Sequence, residues 1–396
     1  MTEYLTADLP GIGGIMKESV EDFFVEELPL YLPSGEGEHL YLRLEKRGMS
    51  TFELVRQVGA ALGVKEREIG YAGLKDARAT TRQTLSLPGV SPETAQKLEI
   101  PGVTLLEASR HRNKLRLGHL AGNRFRIRLK QVAPQAKEKT KTILEVLSRR
   151  GVPNRFGIQR YGVLGNSHRI GGALLRRDFE TALREVIGDP EKIDNPRWQE
   201  AARCFAASDL DGALAAFPPR FRDERRLLHA LKRGETPQQA LLALPRKLLN
   251  LYLSAWQSAL FDQQVAARIN ELDRLRGGDL AMKHENGACF HVDDPAAEQP
   301  RADRLEISPT APLFGRKVTP AQGEVGETER ALLATEGLDV ETFVVASGIS
   351  LDGERRAMRV PIADATVTDD ADDGLLVQFS LPKGSYATSV LAEIMK

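Results

Sequence analysis

The sequence is poor in cysteine, because Cys204 and Cys289 are the only two among its 396 residues. Two cysteines cannot form a disulfide framework or a four-cysteine zinc site. No apolar run approaches the roughly 18 residues that a membrane-spanning helix needs. Acidic residues such as Glu3 and Asp8 interrupt the N-terminal segment, which does not fit a secretory signal. We therefore expect a cytoplasmic protein with no membrane partner.

Motifs for several common chemistries are also missing. The sequence contains no G-x-x-x-x-G-K-[ST] phosphate loop and no H-E-x-x-H zinc pair. The glycines of Gly11–Gly14 lack the spacing of a dinucleotide-binding loop, so a turn is the better interpretation. His284, Cys289 and His291 are the nearest approach to a metal-ligand set, but their spacing matches no zinc class and favours solvated loop residues. We expect no metal site.

Charge is unevenly distributed although the net charge is zero, with 55 basic and 55 acidic residues. The segment from Arg110 to Lys130 holds eight Lys or Arg residues and no Asp or Glu. Acidic residues are densest near the C-terminus, at Asp364, Asp369, Asp370, Asp372 and Asp373. Two interpretations stay open: a positive face for a polyanion, or mutual neutralisation of distant segments on folding.

Hydrophobic periodicity predicts strands near both ends of the chain and helices in the centre. Alternation predicts strands around residues 40–44, 123–130 and 375–382. Ser50 and Glu53 have capping-box spacing, and the apolar stripe that follows predicts a helix ending near Gly63.

The centre of the chain has a helical pattern from about residue 171 to residue 269. Within it, the run that contains Leu249 and Leu260 predicts the longest helix. Strand-rich ends around a helix-rich centre indicate an α+β fold. We expect one domain built from residues 1–153 and 346–396, interrupted by an inserted domain at residues 154–345.

One unusual constellation is the segment GYAGLKDARATTRQ, Gly70–Gln83. It places Asp76 after a turn-forming glycine and among lysine and arginine neighbours. Opposite charge within about 4–6 Å favours the ionised carboxylate, so Asp76 would be a permanently available nucleophile or base. A solvated surface turn is the alternative.

Two other segments have the composition of nucleic-acid contacts. GVPNRFGIQRYG, Gly151–Gly162, sets amide and guanidinium groups between aromatic rings, which suits stacking on nucleobases and hydrogen bonding to their edges. A Gly-rich interdomain hinge is the alternative. In the basic strand, Phe125 lies on the face opposite to Arg124 and Arg126, and a stacking role needs Phe125 at the open end of the sheet.

Taken together, these stretches resemble the TruD family of tRNA pseudouridine synthases. IMKESVEDFFVEE is similar to the family's K-x-x-P-E-D-F-x-V-x-E segment, with Val20 where proline is usual. YAGLKDARATTRQ is similar to the G-x-K-D-x-x-A-x-T-x-Q motif that carries the family's nucleophile. Five more blocks follow in the family's order: HRNKLRLGHLAGNRFRIRL, VPNRFGIQRYG, SAWQSALFDQQVAAR, ISPTAPLFG and FSLPKGSYATSVLAE.

The resemblance implies a mixed-sheet pseudouridine synthase domain built from both chain ends and interrupted by an inserted α/β TRUD domain. It implies isomerisation of a uridine in tRNA, typically at position 13, to pseudouridine without metal or organic cofactor. The expected partner is tRNA, and we expect a monomer.

The resemblance also assigns site residues. Asp76 becomes the essential carboxylate, and Lys17 the cation that keeps it charged. Phe125 matches the aromatic residue that stacks on the target uracil, with Asn123 as its polar partner. Further substrate contacts are expected from Lys75, Gln83, Arg124, Arg126, Asn154, Gln159 and Arg160.

The mechanism stays open at this point. Asp76 could attack C1′ of the ribose, remove the C2′ proton or attack C6 of the uracil. Other function classes are an RNA-binding protein without isomerase activity and a retaining glycosidase-like hydrolase that pairs Asp76 with Glu21.

Overall fold

The computed structural model describes residues 3–339, 342–370 and 374–396, apart from the side chains of residues 158 and 159. Asp372 and Asp373 of the acidic segment lie outside the described residues. The chain divides into two compact units. The sheet unit combines Glu3–Val152 with Val360–Lys396, and the inserted unit is Pro153–Arg359.

The elements of the N-terminal part of the sheet unit are, in chain order, β1 (Ile15–Met16), β2 (Phe23–Pro29), β3 (His39–Arg47), α1 (Thr51–Leu62), β4 (Gly70–Tyr71), β5 (Thr80–Pro88), α2 (Pro92–Ala95), β6 (Val103–His111), β7 (Leu120–Lys130) and α3 (Ala136–Arg150).

The middle of the chain continues with β8 (Val152–Pro153), α4 (Ser167–Leu175), α5 (Phe179–Ile187), α6 (Pro196–Ala206), α7 (Leu210–Ala216), α8 (Arg222–Lys232), α9 (Pro237–Leu242), α10 (Arg246–Ala267), β9 (Leu280–Lys283), β10 (Cys289–His291), α11 (Pro295–Asp303), β11 (Ile307–Leu313), α12 (Gly323–Thr335), β12 (Val344–Ala346), β13 (Ile349–Ser350), β14 (Glu354–Ala357) and β15 (Arg359–Val360). The sheet unit resumes with β16 (Ala363–Asp370), β17 (Gly374–Pro382) and α13 (Ala387–Met395).

A nine-stranded sheet organises the sheet unit, in the order β16-β17-β7-β2-β5-β3-β6, with β1 beside β7 and β4 beside β5. The sheet is mixed, because β2 and β5 run parallel while β7 lies antiparallel to both β2 and β17. Strands from both chain ends therefore share one sheet, and the predicted α+β class is confirmed.

The two faces of this sheet differ in chemistry. On the covered face, Leu40, Leu42 and Leu44 of β3 are fully buried and belong to a core cluster with residues of α1. That helix begins where Ser50 Oγ accepts a hydrogen bond from the backbone N–H of Glu53, 3.1 Å, and ends at Gly63 with φ of +69°. The other face, which we call the open face, carries the arginines of β7.

The inserted unit is mainly helical between α4 and α10, as the periodicity predicted, and α10 spans 22 residues. A four-stranded sheet in the order β10-β9-β11-β14 follows. The unit ends at Arg359, fourteen residues beyond the expected boundary at 345, because β14 pairs with β11. In the described parts of the chain, no helix is both long and apolar enough to span a bilayer.

Candidate active site

Asp76 lies in the loop between β4 and β5, where two groups bind its carboxylate. Lys17 Nζ donates to Oδ2, and the backbone N–H of Arg78 donates to Oδ1 at 2.9 Å. The Asp76 side chain is 27% exposed and that of Lys17 is 18% exposed. The carboxylate is therefore half-buried and ion-paired, unlike that of a solvated surface turn.

Lys17 is held in an uncommon backbone conformation, with φ of +62°. For a residue with a Cβ this left-handed region is costly, and such residues cluster at functional sites. The Lys17 ammonium lies 4.0 Å from the centroid of the Phe23 ring, a cation–π contact that fixes its direction. Phe23 is the first residue of β2, so the sheet positions the cation beside Asp76.

The electrostatic surroundings keep Asp76 ionised. Burial alone would raise the pKa of its carboxyl group. The hydrogen bond from Lys17, the backbone N–H of Arg78, and the charges of Lys17 and Lys46 outweigh burial and lower the pKa below 3.8. At neutral pH the group is an anion that is only partly solvated, which is the form a nucleophile or a base requires.

Lys46 is a site residue that the sequence reasoning did not select. It is fully buried, and its ammonium donates to the backbone carbonyl of Asp76 at 3.1 Å and to that of Met49. Burial lowers its pKa to about 8, against the opposing charge of Asp76. The sequence could have indicated its burial, because Lys46 continues the alternation that buries Leu44.

Phe125 is packed inside the covered face rather than at an open end of the sheet. The residue is 6% exposed, and its ring centroid lies 5.4 Å from that of Phe379 and 6.4 Å from that of Phe23. Phe23 in turn contacts Lys17, so the aromatic cluster connects to the ion pair. Asn123, on the same face of β7, has a buried Oδ1 with no hydrogen-bond partner among the described residues.

Comparisons with known proteins give the chain its family. The TruD family model, described as tRNA pseudouridine synthase D, matches residues 1–394. A tRNA pseudouridine synthase D from Syntrophotalea carbinolica is 54% identical over 396 residues, covering 100% of this chain and 99% of the relative. The chain belongs to the TruD family.

Two further proteins to which this chain is similar agree with that assignment. The tRNA pseudouridine synthase D of Geobacter metallireducens is 53% identical over 394 residues, covering 99% of this chain and 97% of the relative. A crystal structure of a putative tRNA pseudouridine synthase D (TruD) from Methanosarcina mazei is similar with a TM-score of 0.84 and 29% identity, covering 100% of this chain and 96% of that one. The similarity includes both units.

In this member of the TruD family, Lys75 and Gln83 contact protein groups. Lys75 Nζ lies 3.0 Å from Glu27 Oε2, and the two side chains are 4% and 5% exposed. Thr51 Oγ1 donates to Gln83 Oε1 at 3.0 Å and accepts from the backbone N–H of Lys75 at 2.9 Å. Both residues thus anchor the loop that carries Asp76, and their binding to substrate stays a prediction.

Arg124 and Arg126 lie on the open face, opposite to Phe125, as the alternation predicted. Arg124 pairs with Glu26 at 3.6 Å and with Asp364 at 3.8 Å. Arg126 is exposed, and its guanidinium lies over the Phe24 ring at 4.8 Å. The acidic C-terminal segment also supplies ion pairs for two neighbouring cations, Arg128–Asp370 and Lys137–Asp369. These contacts favour the interpretation that oppositely charged segments neutralise one another on folding. RNA binding by the open face therefore stays a prediction.

The remaining predicted residues belong to the inserted unit. Asn154 donates to the carbonyl of Ala357 at 2.8 Å and accepts from Arg356 at 2.7 Å. Arg160 donates to Ser258 Oγ at 3.1 Å. The Gln159 side chain lies outside the described structure. Within this unit, the hydrogen bonds of Asn154 and Arg160 connect the segment after β8 to β14 and α10. Binding of these residues to substrate stays a prediction.

Proposed function

We propose that this protein converts one uridine of tRNA, at position 13, to pseudouridine, with Asp76 as the reacting carboxylate and no cofactor. The observation that carries the proposal is the half-buried ion pair between Asp76 and Lys17. Membership of the TruD family supports the reaction class and the tRNA substrate. The resemblance to the family supports the position.

The reaction requires an anion close to the glycosidic bond. The N1–C1′ bond breaks, the uracil turns, and C5 becomes bonded to C1′. The hydrogen on C5 leaves as a proton and N1 takes up a proton, so the product is an isomer of the substrate. Attack of Asp76 on C1′, removal of the C2′ proton and attack on C6 remain the three routes. Each begins from an ionised carboxylate, which is the state that the lowered pKa of Asp76 maintains.

The target base must leave the RNA stack to reach Asp76, which costs a few kcal/mol. Stacking on an aromatic ring returns about 1–3 kcal/mol per base. Phe125 supplies the ring in this proposal, and its low exposure means that substrate binding has to open the cluster with Phe23 and Phe379. The unpartnered Oδ1 of Asn123 can accept the N3–H of uracil.

The test of the carboxylate is Asp76→Asn, which keeps the shape and removes the charge. We expect single-turnover pseudouridine formation to fall by at least about 10³-fold, with tRNA affinity nearly unchanged. Asp369→Asn is the control, since it removes a surface carboxylate paired with Lys137. Substantial turnover by purified Asp76→Asn would reject Asp76 as the reacting group.

The other parts of the proposal have separate tests. Full activity of the purified protein in EDTA without added cofactor is expected, and a requirement for either would contradict the cofactor-free mechanism. Pseudouridines are mapped in tRNA from cells with and without the protein, and we expect loss at position 13. Loss of a pseudouridine at another position would refute position 13 but support the reaction. Binding of tRNA without loss of any pseudouridine would indicate an RNA-binding protein.

A further inference from the structure

The inserted unit carries a stripe of basic residues on α8 that the catalytic proposal does not use. Arg222, Arg226 and His229, together with the C-cap residue Arg233, are spaced by four, three and four residues, so they follow one face of the helix. All four are exposed, whereas Leu227 and Leu228 of the same helix are fully buried. At about 1.5 Å per residue the stripe is roughly 16 Å long.

An open groove runs along this basic stripe. Its volume is about 570 Å³, and its lining consists of Pro219, Arg222, Arg225, Arg226, His229 and Arg233. The groove therefore has five basic residues and no carboxylate in its wall. The acidic residues of the first turn, Asp223 and Glu224, are not part of the lining, and burial raises the pKa of Glu224 because that side chain faces inward.

The contacts of the arginines on α8 show which charges are available. Arg225 donates to the carbonyls of Leu214 at 2.6 Å and Phe217 at 3.1 Å, so it stabilises the C-terminal end of α7. Arg233 pairs with Glu235. Among the described residues, Arg222 and Arg226 have no ion-pair partner. Two adjacent guanidinium groups without an ion-pair partner, in a groove whose lining holds no carboxylate, favour a polyanionic ligand.

We propose that the basic stripe of α8 binds the phosphate backbone of the tRNA substrate. The inference rests on the tRNA substrate class of the proposed function and adds a contact surface to it. Arg222 and Arg226 each bind a phosphate oxygen through guanidinium N–H groups. The contact contributes affinity and no sequence discrimination, because it reads phosphates rather than base edges.

The test compares wild type with Arg222→Ala/Arg226→Ala in the full chain. Fluorescence anisotropy of an end-labelled, unmodified tRNA transcript gives the Kd between about 50 and 200 mM salt. We expect binding to weaken about tenfold and the slope of log Kd against log salt to fall by about 2, one for each lost phosphate contact. The rate at saturating enzyme is expected to be unchanged.

Two further variants control for charge and for packing. Arg184→Ala/Arg197→Ala removes two exposed arginines of the same unit outside the stripe. It should leave the Kd and the salt slope as in wild type. Arg222→Lys/Arg226→Lys keeps the charge and should retain the salt slope. An unchanged slope in the alanine variant, or an equal loss in the control, would overturn the proposal.

The same binding assay separates an RNA ligand from an acidic protein ligand. Unaltered tRNA binding combined with lost binding of polyglutamate would overturn the RNA assignment and indicate an acidic protein partner. Because anisotropy measures binding alone, a wild-type protein that binds tRNA through the stripe but forms no pseudouridine would refute the proposed function and keep this inference.

Discussion

The ion pair of Asp76 with Lys17 makes a quantitative prediction for Lys17→Met, which removes the ammonium and keeps an unbranched side chain. Two unit charges about 4 Å apart interact by about 4 kcal/mol at an effective dielectric constant of 20. Partial exposure of both side chains and salt screening reduce this value. We take about 1–3 kcal/mol, and removing this interaction raises the pKa of Asp76.

The sign of the pH dependence follows from the direction of that shift. In the wild-type protein the pKa of Asp76 is lowered below 3.8, so the anion persists until the pH falls through that lowered value. The stabilisation that the ion pair gives the folded state is present above the unfolded-state pKa and is lost over the same acid range. Lys17→Met raises the pKa, so activity should be lost at a higher pH than in wild type.

Single-turnover rates across the acid range measure this shift. Tritium at C5 of uridine is released to water when C5 becomes bonded to C1′, which gives a direct rate for the isomerisation. We expect the acid limb of the rate profile to move up by about 1–2 pH units in Lys17→Met. Lys17→Arg, which keeps the charge, should retain an acid limb close to that of wild type.

The control and the refuting result are equally specific. Lys137→Met removes an exposed cation paired with Asp369 and should leave the profile unmoved. If Lys17→Met lowers the rate by the same factor at every pH, with the acid limb where it was, Lys17 does not set the charge of Asp76. It would then act on substrate position instead.

Two other predictions concern the residues that hold the Asp76 loop. Lys46→Met removes the donor to the Asp76 carbonyl and should lower kcat by about 10- to 100-fold with a Tm within a few degrees of wild type; an unchanged kcat would contradict a positioning role. Lys75→Met leaves the Glu27 carboxylate buried and unpaired, so chemical denaturation should show a loss of about 3–5 kcal/mol in the free energy of unfolding, partly restored by adding Glu27→Gln. A stable Lys75→Met protein with poor tRNA affinity would instead indicate a substrate contact.

Local sequence patterns predicted the elements whose formation depends on near neighbours. The alternation of Leu40, Leu42 and Leu44 predicted β3, and the Ser50 cap with Gly63 predicted both ends of α1. The strand and the helix ends depend on side-chain periodicity and on unsatisfied backbone groups, both of which involve residues only a few positions apart. The inserted unit ends at Arg359 rather than at the expected 345, because β14 pairs with β11, whose partner residues are more than forty positions apart. Periodicity carries no information about such distant pairing.

The ion pair at the site was accessible only through family resemblance. Lys17 and Asp76 are separated by 59 positions and meet because β2 and β5 are parallel neighbours. Composition identified Asp76 as a candidate by its cationic neighbours, but Lys75, the nearest of them, is paired with Glu27 instead. Sequence proximity of opposite charges therefore indicated a carboxylate that is ion-paired, but its partner is Lys17 rather than its nearest cationic neighbour.

The alternation of β7 has a consequence for how the sheet unit can meet RNA. Phe125 and Asn123 lie on the covered face, as does Lys46, which donates to the Asp76 carbonyl, whereas Arg124 and Arg126 lie on the open face. A strand cannot present adjacent residues to one side, because its side chains alternate. RNA backbone next to a uridine held at Asp76 therefore cannot also contact Arg126 unless it passes around a sheet edge. This geometry, together with the carboxylates that already pair with Arg124, makes the open face a poor candidate for the contacts that flank the reacting nucleotide.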